Sequence, residues 1–144
     1  MDRDEARRYA EEWAAAWNRR DLEAILAHFE DDVVFSSPRA LQIVGVPTLR
    51  GKAPLRDYWR AALASVGSLR FTVQRVLWDA AGAELSIVYD REVDGRRDRA
   101  AEVLQFGRTG RVVRGEVFYG VVPEAPGVVP PLTHVRSRGA SGSW

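Results

Sequence analysis

The sequence has no cysteine. Disulfide frameworks, Cys-ligated zinc and thiol catalysis are therefore excluded. Lysine is nearly missing as well: Lys52 stands alone against twenty arginines. The arginines are spread along the chain and mostly accompanied by Asp or Glu, which reads as GC-rich bacterial codon usage more than as an Arg-lined binding surface. The formal net charge is only +1 at pH 7. No nucleic acid and no acidic membrane is thus expected as a partner. There is no long apolar run, and the N-terminus is acidic and amphipathic where a signal peptide would be basic. A cytoplasmic, bacterial protein is the simplest expectation. No His, Asp or Glu pair stands at metal-ligand spacing, no phosphate loop is present, and no Ser-His-Asp order has supporting context. Neither a metal nor a cofactor is expected.

What is present is enough chain, 144 residues, for one domain with a real core. We expect that domain over 1–121, followed by a Pro/Gly/Ser/Arg-rich tail over 122–144 with the composition of disorder. A first helix is predicted over 2–18, with Ala6, Tyr9, Ala10, Trp13, Ala14 and Trp17 as its apolar stripe. Asp21 caps a short helix, Leu22–Phe29. Val33, Phe35 and Ser37 then alternate along a strand that Pro38 stops. Residues 39–50 read as an apolar loop folded over an opening or against a partner. A third helix starts near Lys52, carries Leu55, Tyr58, Trp59, Ala62, Leu63 and Val66, and ends at Gly67.

Beyond Gly67 the period becomes two, over Leu69–Asp79, Glu84–Val93, Arg96–Phe106 and Arg111–Val121. Between Val73 and Val76 the alternation slips by one residue, as a β-bulge would make it, and a bulge bends a strand. Asp94-Gly95 signals a two-residue hairpin. Three N-terminal helices packed on a strongly bent, mostly antiparallel sheet make an α+β fold, a cone-shaped barrel enclosing a cavity.

The hairpins set a register. Closing on Asp94-Gly95 pairs Val93 with Arg96, Arg91 with Asp98, Tyr89 with Ala100 and Ile87 with Glu102. Closing Phe106 on Arg111 pairs Leu104 with Val113, Glu102 with Gly115, Ala100 with Val117 and Asp98 with Tyr119. The face carrying Ile87, Tyr89, Leu104, Phe106, Val113, Gly115, Val117 and Tyr119 is the more apolar and is taken as concave. Glu102 sits in the middle of it. A carboxylate among apolar groups loses its hydration and tends to keep its proton. Small Ala100 and Gly115 beside it suggest empty volume, the mark of a site. Glu102 reads either as a functional acid/base or as a structural carboxyl paired with a tyrosine or an indole N–H. Tyr89 and Tyr119 read as wall residues or as partners of Glu102. Arg91 and Asp98 read as an ion pair near the cavity mouth. The expected pocket is lined by Ile87, Leu104, Phe106, Gly115 and Val117, with Phe35 and Ser37 from the first strand. Trp13, Trp17 and Trp59 close it from the helices.

The order Asn18-Arg19-Arg20-Asp21-Leu22 followed by FEDDVVFSSP at 29–38 resembles the nuclear transport factor 2-like superfamily, which includes ketosteroid isomerases and SnoaL-like polyketide cyclases. The resemblance covers roughly residues 5–120 and implies the same cone. It places the isomerases' protonated oxyanion-binding acid on Glu102. It places their general base on Ser37 and their helix-one tyrosine on Trp13; a serine is no proton shuttle, and an indole only donates. The Asp-Arg-Asp set of limonene epoxide hydrolases fails at Val117. What the resemblance leaves nearest is the SnoaL-like cyclases, with an acid/base carboxylate in an apolar pocket. Two functions therefore remain. One is a cofactor-free isomerase or cyclase acting on a small, apolar or polycyclic carbonyl compound. The other is a ligand-binding or accessory protein with the same cavity. A homodimer is expected through the opposite sheet face, which bears Val88, Ala101, Val103 and Phe118.

Overall fold

A computed structural model describes residues 1–124, so the expected tail lies outside the described residues beyond Glu124. Helix α1 (Arg3–Asn18) begins in a capping box, with the Glu5 N–H donating to Asp2 and the Asp2 N–H to Glu5, both at 2.8 Å. Helix α2 (Leu22–Leu26) is capped by Asp21, which accepts from the Ala24 N–H. Strand β1 (Phe29–Ser36) follows.

The stretch expected to be a loop is ordered differently. It forms helix α3 (Pro38–Val44) and strand β2 (Thr48–Arg50). Ser37 is the cap of α3, accepting from the Arg39 N–H, and Pro38 sits in its first turn, where no N–H is required. Gly45, at φ +84°, ends the helix in the left-handed conformation. Pro38 thus stops a strand by starting a helix. Helix α4 (Lys52–Ala64) and strands β3 (Leu69–Asp79), β4 (Glu84–Val93), β5 (Arg96–Phe106) and β6 (Val112–Gly120) lie close to their expected bounds.

The strands form one curved, unclosed six-stranded sheet in the order β2-β1-β6-β5-β4-β3. Only β1 and β6 run parallel. Helix α1 lies against β3 and α4 against β1, both on the concave side. The β4–β5 register is the expected one, including Ile87 opposite Glu102. Asp94 and Gly95 both have positive φ, as a tight hairpin turn requires. The bulge in β3 falls between Val73 and Arg75.

The β5–β6 register differs by two residues. Glu102 faces Val117, Leu104 faces Gly115 and Ala100 faces Tyr119. The turn closes tightly on Gly107, whose N–H donates to the Arg111 carbonyl at 2.8 Å. Phe106 faces Val112 while Gln105 faces Arg114, so the ladder shifts between these two pairs and leaves Val113 outside the inner row. A shift of two preserves the alternation, so Glu102, Val117 and Tyr119 remain on the concave face. On the convex face, buried Asp90 is held by Arg99 at 2.7 Å, Arg97 at 2.9 Å and Gln74 at 3.2 Å. These bonds keep its carboxyl below the ordinary range, Arg99 most of all.

Candidate functional site

Glu102 sits in mid-sheet between Ile87 and Val117 and is 3% exposed. The Tyr89 hydroxyl donates to its Oε1 at 3.3 Å. Burial pushes the Glu102 carboxyl up to about 8, against the downward pull of the Tyr89 hydrogen bond and of the Arg91 charge. Burial, and then Glu102, also holds the Tyr89 phenol well above its ordinary value. Near neutral pH the pair is therefore mostly a carboxylic acid beside a neutral phenol.

The carboxyl borders a cavity of about 70 Å³ between the sheet and the helices. Trp13 and Trp17 of α1 and Tyr58 and Trp59 of α4 form one wall; Phe35, Phe71, Tyr89 and Val117 form the other. The rings lock one another. Trp17 meets Trp59 edge-on at 5.2 Å, Trp13 meets Tyr89 at 4.8 Å, and Phe35 meets Trp59 at 5.1 Å. Ligand pockets commonly run to about 300–1,000 Å³. This one, as it stands, admits one end of a small molecule. The indole N–H groups of Trp13 and Trp17 are buried with no protein acceptor among the described residues.

A second polar pole faces the same space. The Ser37 and Tyr58 hydroxyls are 3.2 Å apart, and burial raises Tyr58 to about 12. Ser36 pairs with Glu116, which brings Ser37 abreast of Val117, the residue opposite Glu102. Two strand spacings, about 10 Å, thus separate the Ser37 and Glu102 backbones. Tyr119 stands at the mouth, 36% exposed, with the Arg91 guanidinium 4.6 Å from its ring centre. Burial raises its phenol and Arg91 opposes the rise.

Of the residues expected in the site, Glu102, Tyr89, Tyr119, Trp13, Trp17, Phe35, Ser37, Trp59 and Val117 line this one cavity. Ile87, Leu104, Phe106 and Gly115 do not. Ile87 and Leu104 are fully buried core beneath it. Phe106 packs on Tyr9 and Trp78, past the base of the cavity. Gly115 leaves no empty volume, because the Phe35 ring fills it: a Cβ there would lie 2.6 Å from that ring. Tyr58, Phe71 and Arg39 were not foreseen as site residues. The signal for Tyr58 was its place beside Trp59 on the helical stripe; the signal for Arg39 was Ser37-Pro38, an N-terminal cap that turns the chain back over the mouth. Among the described residues no three His, Asp or Glu side chains gather as metal ligands, and no helix is long and apolar enough to cross a membrane.

The family model of the SnoaL-like domain matches residues 10–115. A solved SnoaL-like protein of unknown function from Burkholderia thailandensis is 35% identical, with a TM-score of 0.73 over 83% of this chain and 98% of its own. A Kribbella flavida protein provisionally assigned as a ketosteroid isomerase is 21% identical, with a TM-score of 0.67 over 98% of this chain and 94% of its own. TerC, co-crystallised with polyporic acid, is 21% identical, with a TM-score of 0.63 over 74% of this chain and 85% of its own. The last two show a shared fold. No curated protein matches the sequence.

Proposed function

The chain belongs to the SnoaL-like domain family, and from that premise we propose that it is a cofactor-independent isomerase or cyclase working by acid/base chemistry on a small, mostly apolar carbonyl compound. The observation that carries this reading is Glu102, a carboxyl raised to about 8 inside an aromatic cavity and hydrogen-bonded to Tyr89. A general acid/base works best when its pKa is near the operating pH. The hydroxyls of Tyr89 and Tyr58 are held too high to exchange protons there.

In this mechanism the ionised fraction of Glu102 takes a proton from the carbon beside the carbonyl. The electron pair moves onto the carbonyl oxygen, where the Ser37–Tyr58 hydroxyls or an unpartnered indole N–H meet the growing charge. The new carboxylic acid returns its proton to another carbon, giving an isomer. Alternatively, the enolate carbon closes a ring onto a second carbonyl of the same molecule, whose π pair becomes an alkoxide, and the proton goes to that oxygen. Tyr89 steadies the carboxylate in between. TerC, crystallised with polyporic acid, supports a small-molecule cavity here by analogy of fold alone. Among the described residues no second carboxylate or histidine lines the cavity, which favours one other reading, a carrier that binds without turnover.

Hydrogen–deuterium exchange separates the two without knowledge of the natural substrate. With 2-tetralone in D₂O, followed by NMR, the protein should accelerate loss of the α-proton signals, and Glu102→Gln should reduce the acceleration at least about 100-fold. The rate should climb with pH toward about 8 and level off above it, as Glu102 ionises. Binding of the ketone without acceleration at any pH would leave the carrier.

A further inference from the structure

The aromatic cavity opens into a wider basin of about 540 Å³ at the hairpin end of β4 and β5. Arg39, Arg91, Arg96 and Arg97 edge this basin, against Asp94 and Asp98 alone. Asp94 is engaged elsewhere, accepting from the Gly67 and Ser68 N–H groups at 2.8 and 2.9 Å. Arg97 turns to Asp90 at 2.9 Å on the convex face. Arg39 and Arg91 are the two cations that border both the cavity and the basin.

Their surroundings differ in a useful way. Arg91 is fixed in place, its side chain 11% exposed and its guanidinium against the Tyr119 ring. Both of its bonds to Asp98, at 3.2 and 3.0 Å, come from Nη1. Its Nε and Nη2 donors have no protein acceptor among the described residues, and a guanidinium binds a carboxylate best through such a pair of donors. Arg39 has no carboxylate partner among the described residues, and the start of α3 sets it over the mouth. Two guanidiniums thus converge where an apolar ligand would leave its cavity.

We infer that the mouth is a carboxylate-binding subsite, and that the ligand is an amphipathic keto acid. Its ring and carbonyl enter the cavity toward Glu102, and its acid group stays outside between Arg39 and Arg91. This rests on the carbonyl-site reading and adds the substrate class. It also accounts for the size of the cavity, since 70 Å³ need hold only one end of such a molecule. Along β4, Arg91 lies four residues beyond Ile87, the partner of Glu102, which is about 13 Å of strand before the side chains lean inward. One aromatic ring with a substituent at each end bridges the remaining gap.

The test uses 4-acetylbenzoate and its neutral methyl ester, titrated calorimetrically at low salt and pH 7. The acid should bind at least about 10-fold tighter than the ester. In Arg39→Gln, and again at 0.3 M salt, that preference should shrink several-fold while the ester's affinity holds. Equal binding of acid and ester to the wild type overturns the subsite and leaves the carbonyl site standing. A preference for the acid that survives Arg39→Gln unchanged overturns the assignment to Arg39. Failure of both probes to bind overturns both proposals. Acid preference without any exchange of 2-tetralone protons leaves the subsite intact and removes the catalysis.

Discussion

Glu102 is legible in the sequence because it breaks an alternation: one carboxyl in an inner row of Ile87, Leu104 and Val117 has few structural reasons to be there. The same burial makes a stability prediction whose sign is fixed. The folded protein holds this proton up to about 8, while an unfolded glutamate releases it near 4.5. Between those values the folded state binds the extra proton, so stability falls as pH rises through that window and flattens above about 8. The loss is a few kcal/mol, on the order of 1.4 kcal/mol per pH unit. Glu102→Gln should therefore show a flatter melting temperature from pH 5 to 8 and be the more stable protein at pH 8.5. Parallel melting curves for the two proteins would sink the idea. Gly115 reads as open volume from the sequence alone, and its neighbour shows why it is not. The small residue makes room for Phe35, not for a ligand. Gly115→Ala should cost about 1–3 kcal/mol through overpacking and push the Phe35 ring into the cavity, weakening ligand binding. A variant with unaltered melting and affinity contradicts this.

The helices and strands were readable wherever one period persisted for two turns or more, or a hairpin carried its own turn residues. Asp94-Gly95 set the β4–β5 register correctly because that turn admits little choice. The Gly107–Arg111 turn admits several, and the β5–β6 pairing could not be told from a shift of two, which keeps Glu102, Val117 and Tyr119 inside. Helix α3 (Pro38–Val44) escaped notice because its apolar residues do not mark a buried face: only Ala40 is buried, while Leu41 and Val44 are 54% and 41% exposed. Tyr58 and Arg39 escaped for a related reason: which neighbours a helical face meets depends on how the helix docks. Another contact of this kind joins α1 to the sheet edge. The Asn18 side chain accepts from the Phe71 N–H at 2.7 Å and donates to the Phe71 carbonyl at 2.9 Å, pairing with β3 as a further strand would. It anchors the aromatic cluster of Trp13, Trp17 and Phe71 over the cavity. Asn18→Ala should cost about 1–3 kcal/mol and raise amide exchange at Phe71 above that of central β4. Protection equal to wild type at Phe71 rules the clamp out.

Across the domain, nothing among the described residues covers the convex sheet face. Phe118 and Leu77 are 52% and 56% exposed there, in rows that also carry Val88, Ala101 and Val103 among charged residues. We propose that a second copy covers this face. Light scattering at micromolar concentration should give twice the chain mass, and Phe118→Arg should return it to one; a single-chain mass for the wild type removes the proposal. The concave side has a different consequence. Trp13, Trp17, Phe35, Trp59 and Phe71 are at once the centre of the folded core and the wall of the cavity. A mutation that reshapes the inner wall for a new ligand therefore also subtracts from a small margin of stability. Arg39, Val66 and Tyr119 at the rim carry no such double duty. Across descendants of this protein, adaptation to new ligands should accumulate first at the rim. The aromatic interior should drift slowly, each step there needing a compensating change elsewhere.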